Sequence, residues 1–138
     1  MAPHVMPIKV RFYELDPYNH LNHASYIQYF EVARIELLRE VGYDLPAMMA
    51  EGVMIVVSEI HTRFLASAQA GDELLVETEV VDFRRVTSTW RQRLYRNGSV
   101  IATQELRAAL VDLDNRPIRF PQTMVAALEP YHVEDGGG

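Results

Sequence analysis

The stretch Asn22-His23-Ala24-Ser25-Tyr26-Ile27-Gln28-Tyr29-Phe30-Glu31-Val32-Ala33-Arg34-Ile35-Glu36-Leu37-Leu38-Arg39-Glu40-Val41 decides the architecture. Tyr26, Ile27, Phe30, Ala33, Leu37, Leu38 and Val41 recur at helical spacing and draw one apolar stripe. Asn22 suits the N-cap, where its side chain can take up a free N–H of the first turn. Gly42 stands where a left-handed C-terminal cap usually sits. Glu31, Arg34, Glu36, Arg39 and Glu40 read as the solvated face. The spacing predicts a helix over Asn22–Val41.

On the N-terminal side, Val5–Tyr13 is rich in β-branched and aromatic residues and reads as a strand, and Asp16–Asn22 reads as a loop. On the C-terminal side, Pro46–Gly52 reads as a short connection, followed by strand patterns over Val53–Leu65, Glu73–Phe83, Thr87–Tyr95 and Val100–Asp112. Leu74, Val76, Thr78 and Val80 share one face, as do Trp90 and Leu94, and Ala102, Leu106, Ala108 and Leu110. Asn97-Gly98 is a strong hairpin signal. Pro121–Leu128 reads as a short helix with Pro121 at its first position. One long helix beside consecutive antiparallel strands implies an α+β domain, its sheet curved over the helix. Edge-to-edge joining of two such sheets would hide exposed edges, so a homodimer is expected.

The chain has 138 residues, the size of one domain, with 49% apolar and 23% charged residues. The expected ordered core runs from about residue 5 to 132, with a loose Gly-rich tail over 133–138. Thirteen basic residues against 19 acidic ones leave −6, so the global basic footprint of a nucleic-acid binder is absent. There is no cysteine, which removes disulfides, thiolate metal sites and a Cys nucleophile together. The opening MAPHVMPIKV lacks a basic region followed by an apolar one, and the longest apolar runs, Val53–Val57 and Met124–Leu128, are far short of a membrane span. A cytoplasmic location without membrane association is expected.

The chemically dense segment is Asp16-Pro17-Tyr18-Asn19-His20-Leu21-Asn22-His23. It leads into the helix N-terminus, whose free N–H groups and partial positive charge would stabilise an oxyanion. Asp16 is a carboxylate placed to act as nucleophile or general base, and the backbone N–H near His23 is the oxyanion donor. Asn19, His20 and His23 add polar groups. The same residue types also make an ordinary turn and cap. His20 and His23 with Asp16 could serve as metal ligands, but no established metal-binding spacing accompanies them, so neither a metal nor another cofactor is expected. Arg84-Arg85, followed by Thr87, Ser88 and Thr89, can bind phosphate or simply form a solvated strand end. Met48, Met49 and Met54 suit a core or an acyl pocket. Gln92 and Gln104 share strand faces with apolar residues, as buried partners or as pocket groups.

Val10-Arg11-Phe12-Tyr13-Glu14-Leu15-Asp16-Pro17-Tyr18-Asn19-His20-Leu21-Asn22-His23-Ala24-Ser25-Tyr26, followed by Tyr29-Phe30-Glu31-Val32-Ala33-Arg34 and more weakly by Gly71-Asp72-Glu73-Leu74, resembles the hot-dog-fold acyl-CoA thioesterases of the 4-hydroxybenzoyl-CoA thioesterase family. The resemblance covers roughly residues 5–128. It implies a sheet wrapped around one long helix, assembled as a homodimer or homotetramer. It places Asp16 on the family's catalytic Asp and His23 where a backbone N–H polarises the thioester carbonyl. The family's loop glycine is matched by Asn19, which tolerates the left-handed region, so the turn is expected to survive. His20, Asn22 and Tyr26 would line the substrate, and Arg84 and Arg85 fall near positions that contact nucleotide phosphates in one branch of the family. The implied activity is hydrolysis of an acyl-CoA to free acid and CoA. Alternatives are a non-catalytic acyl-thioester sensor, a thioesterase acting on acyl carrier protein, and, ranked below them, a dehydratase of 3-hydroxyacyl thioesters.

Overall fold

The computed structural model describes residues 3–133. Strand β1 is His4–Lys9, helix α1 His23–Glu40, helix α2 Leu45–Ala50, strand β2 Val53–Phe64, β3 Glu73–Phe83, β4 Thr87–Arg96, β5 Ser99–Asp112 and helix α3 Gln122–Leu128. The five strands form one antiparallel sheet in the order β1-β3-β4-β5-β2. The sheet wraps around α1, the hot-dog layout that the resemblance implied.

The sequence dictates this arrangement through two periods. The alternating residues of β3, β4 and β5 bury Leu74, Val76, Val80, Trp90, Leu94, Leu106 and Leu110 on one face. The helical stripe brings Tyr26, Tyr29, Phe30, Ala33, Leu37 and Leu38 against that face, while Ile27 and Val41 stay half-buried. Asn22 caps α1 as expected, accepting from the Ala24 N–H at 2.9 Å. At the other end Gly42 takes φ +97°, the left-handed conformation that favours glycine there. Asn97 (φ 51°) and Gly98 (φ 80°) both turn left-handed, as a two-residue hairpin between right-twisted strands requires.

Four expectations need correction. The first strand stops at Lys9 rather than Tyr13, because Phe12–Glu14 coils into a single 3₁₀ turn. Pro46–Gly52 is not a plain connection: Leu45–Ala50 is a helical turn capped by Asp44, with Pro46 in its first turn, where a missing N–H costs nothing. Pro121 is the N-cap of α3 rather than its first helical residue. Arg34 does not lie on the solvated face. It is buried, and its Nη1 donates to Gln92 Oε1 and Gln104 Oε1, each at 2.9 Å. Gln92 and Gln104 are therefore buried partners of the helix. The tail expected to be loose lies from residue 134 outside the described residues, whereas Val133 is held, its N–H donating to Val80 O at 2.9 Å.

Candidate active site

The loop between Leu15 and Leu21 is closed at its neck. Leu15 bridges Leu21, the Asp16 N–H donates to His20 O at 2.7 Å, and the Asn22 N–H donates to Glu14 O at 2.9 Å. Within it the Asn19 N–H donates to Asp16 O at 3.0 Å, and Asn19 takes φ 63°, so Asn occupies the left-handed position as expected. The Asp16 carboxylate folds back over the turn, its Oδ1 accepting from the Tyr18 N–H (2.8 Å) and the His20 N–H (3.1 Å). Its Oδ2 has no hydrogen-bond partner among the described residues. Two N–H donors thus fix one oxygen of the carboxylate.

Beyond the neck, His23 is the first residue of α1. The Ala24 N–H is taken by the Asn22 side chain, and the Ser25 and Tyr26 N–H groups by Asn22 O. Among the described residues the His23 N–H has no acceptor, so the first turn keeps one donor at its positive end. The loop thus brings a half-buried carboxylate and a free N–H to the same end of the helix. The His23 ring lies exposed against Phe64 of β2, ring centroids 6.4 Å apart.

The remaining expected residues divide. His20 is exposed and contributes its backbone N–H to Asp16. Asn19 is an exposed tip residue that sets the turn rather than touching Asp16 with its side chain. The Asn22 side chain is spent on the cap. Tyr26 is buried, with its ring on Phe64 (5.2 Å) and its hydroxyl donating to Ala66 O and accepting from the Ala68 N–H, both at 3.1 Å. Burial holds the Tyr26 hydroxyl above the usual tyrosine range; the Ala68 N–H and the Arg96 charge pull it down, and the Asp16 and Asp72 charges push it up. Tyr26 is a strut beneath the site: Ala68 O in turn accepts the Leu21 N–H at 2.7 Å.

Arg84 and Arg85 lie elsewhere. Lys9 of β1 pairs with Glu73 at the start of β3, so the Asp16 loop sits at that end. The arginines follow Phe83 at the other end of β3, a strand of eleven residues whose extended length is about 35 Å. Both are exposed, and with Arg119 they rim an open depression of about 550 Å³ floored by Phe83, Phe120 and Val125. Arg84 leans on Asp82 at 3.8 Å, too long and exposed to neutralise it. Arg119 was missed in the sequence because only the folded chain brings it to the β3–β4 turn. Met48 is core, Met49 exposed and Met54 half-buried. A larger depression of about 860 Å³ opens between β1, β3 and the Asn97–Gly98 turn, with Glu73, Glu77, Lys9 and Tyr95 along it; Asp16 is not among the residues that line it. An apolar crevice of about 80 Å³ runs between α1 and β2, lined by Ile35, Leu38, Ile55, Val57 and Trp90. No group of three His, Asp or Glu is gathered for a metal among the described residues, and no helix there is long and apolar enough to cross a membrane.

Comparison with known proteins bears on the same elements. The family model of the thioesterase-like superfamily matches residues 10–128. The chain is 32% identical to the acyl-CoA thioesterase YbgC of Haemophilus influenzae, over 88% of this chain and 90% of that protein. It is 30% identical to the acyl-CoA thioester hydrolase YbgC of Escherichia coli, over 87% and 91%. The structure of the DHNA-CoA thioesterase from Staphylococcus aureus superposes with a TM-score of 0.86 over 94% of this chain and 91% of that one, at 21% identity, and shows the shared fold. The chain belongs to the thioesterase-like superfamily and is a thioester hydrolase of the hot-dog fold.

Proposed function

We propose that this chain hydrolyses acyl-CoA thioesters to the free acid and CoA, with Asp16 as the reacting carboxylate and the His23 N–H as the oxyanion donor. One observation carries the reading: Asp16 Oδ1 is held by two backbone N–H groups beside a helix start that keeps a free donor. With the thioester oxygen at that donor, Oδ2 either attacks the carbonyl carbon or takes a proton from a water that attacks it. In the first course a mixed anhydride forms, CoA leaves as thiolate, and water then cleaves the anhydride. In the second, hydroxide adds, the oxyanion collapses, and the departing thiolate takes the proton back from Asp16. In both, the N–H serves the charge that grows on oxygen and is worth more to the transition state than to the substrate.

The relatives named for acyl-CoA thioester hydrolysis support CoA as the carrier, and the arginines support its phosphates. Arg84, Arg85 and Arg119 are too far from Asp16 of the same chain to serve one extended ligand, so the site is shared between two copies. The outer edge of β2 suits that pairing, with Val57, Ile60, Phe64 and Leu65 all exposed. Two antiparallel β2 edges place the Phe64 end of one copy beside the Val57 end of the other. The partner's apolar crevice and its arginine turn then face this Asp16. The acyl group enters the crevice and the nucleotide meets the arginines. A homodimer is the smallest unit that completes the site.

The test is thiol release from short, long and aromatic acyl-CoAs, with Asp16→Asn and Arg84→Gln/Arg85→Gln run alongside. Asp16→Asn is expected to lower kcat by about 10²–10⁴-fold while binding persists. The double arginine variant is expected to raise KM with kcat kept. Equal turnover of Asp16→Asn and wild type sinks the assignment. Tight binding of every acyl-CoA with no thiol release returns the sensor reading.

A further inference from the structure

Tyr29 is 2% exposed, lies two residues from the surface-facing motif residue Glu31, and takes no part in the chemistry above. Its hydroxyl donates to Glu14 Oε1 at 2.5 Å, the short distance of a charge-assisted bond. Burial holds the Tyr29 hydroxyl far above the usual tyrosine range, and the hydrogen bond and charge of Glu14 add to that, so the proton stays on Tyr29 and the carboxylate accepts. Glu14 Oε1 also accepts from the Arg11 N–H at 2.9 Å, and Glu14 O accepts from the Asn22 N–H at 2.9 Å. One residue therefore ties together the 3₁₀ turn that precedes Asp16, the cap residue that precedes His23, and the interior of α1. Tyr29 lies six residues beyond His23, about 9 Å along the helix axis.

The geometry points to Tyr29 and Glu14 as positioning residues for the thioesterase reaction: the Tyr29–Glu14 hydrogen bond sets where the Asp16 carboxylate stands relative to the His23 N–H. The neck of the loop has only short backbone links of its own. Without the tie, the 3₁₀ turn keeps its fold but can shift along the helix, carrying Asp16 with it. A displacement of that kind weakens the transition state far more than it weakens binding, because the carrier and acyl contacts lie elsewhere. This inference rests on the reading of Asp16 given above.

Tyr29→Phe, Glu14→Ala, Glu14→Gln and the Tyr29→Phe/Glu14→Ala double variant, with Asp16→Asn as control, separate the outcomes. Tyr29→Phe deletes one oxygen and keeps the ring, so folding is retained. Tyr29→Phe and Glu14→Ala are each expected to lower kcat about ten- to a hundredfold with KM within about twofold. The double variant is expected to lose no more than the worse single, since both cut the same tie. Glu14→Gln keeps an acceptor for the Tyr29 hydroxyl and the Arg11 N–H and is expected to recover most of kcat. Additive losses, a rise in KM with kcat kept, or a Glu14→Gln as damaged as Glu14→Ala overturns the positioning role. If Asp16→Asn is inactive and Tyr29→Phe matches wild type, the tie alone fails. If Asp16→Asn is as active as wild type, the reading beneath it fails first.

Discussion

Arg34 sets up a contest between burying a charge and losing its partners. Arg34 is 8% exposed, and its guanidinium has no carboxylate within ion-pair distance among the described residues. Burial pushes its pKa down from the ordinary arginine value to about 10, and the Glu31 charge offsets this only in part. At 1.36 kcal/mol for each tenfold change in acidity, the folded state carries about 3 kcal/mol of strain from that charge. Arg34→Met removes the charge at similar volume. It also strands Gln92 Oε1 and Gln104 Oε1, at about 1–3 kcal/mol for each unpaired buried acceptor. The two effects nearly cancel, leaving a loss of about 1 kcal/mol. Gln92→Leu does the reverse. It keeps the charge, halves its hydrogen bonds and strips donors from Phe30 O and Thr78 Oγ1, which lie 2.8 and 3.0 Å from Gln92 Nε2. Losing a hydrogen bond to a charged group and leaving buried polar groups short of a donor together cost about 3–5 kcal/mol. Removing the charged residue is thus expected to harm the fold less than removing its neutral neighbour. In the Arg34→Met/Gln92→Leu double variant the two losses do not add. The assay is urea unfolding at one fixed protein concentration, with the midpoint read at constant m. An Arg34→Met variant less stable than Gln92→Leu, or strictly additive losses, refutes the reasoning.

Two other outcomes follow from the loop and its struts. Burial raises the Tyr26 and Tyr29 hydroxyls above the ordinary value of 10.0, so the folded chain keeps protons that the unfolded chain releases. Stability is then full below pH 10 and falls as the pH rises beyond it. Urea midpoints at pH 8 and 10.5 check this, and Tyr29→Phe is expected to flatten the fall. At Asn19, φ 63° makes Asn19→Ala destabilising by about 1 kcal/mol, with Asn19→Gly near neutral. A melting curve in which the alanine variant equals wild type contradicts the left-handed turn.

What the sequence made legible was local. The α1 stripe, the alternation of β3 to β5 and the Asn97-Gly98 turn depend on neighbours within a few residues, and they emerge nearly to the residue. The Asp16 loop was legible through its residue types and its resemblance to a known family. Asp44 with Pro46 also signals a short helix, by its cap and first-turn proline. The misreadings come from contacts made far along the chain. Phe12 and Tyr13 favour strand, yet the chain coils where Glu14 meets Tyr29, 15 residues on. Arg34 falls among charged residues in sequence, and only Gln92 and Gln104, 58 and 70 residues away, draw it inward. Arg119 joins Arg84 and Arg85 only once the sheet has formed.

The order of the strands bears on how the molecule fails. β3, β4 and β5 follow one another in sequence as a meander, whereas β1 reaches its one neighbour, β3, across about half the chain. β1 is also the shortest strand, six residues against ten to fourteen in the others. An edge so short and so remote opens at a lower free energy than the meander beneath it. The Asp16 loop continues from that edge, and its neck leans on Val10, whose N–H donates to Asp72 O at 3.0 Å. Fraying of β1 therefore dismantles the Asp16 loop while the helix still sits in its sheet. On warming, catalysis departs before the core melts, and hydrogen exchange at β1 reports the loss sooner than any signal from Trp90.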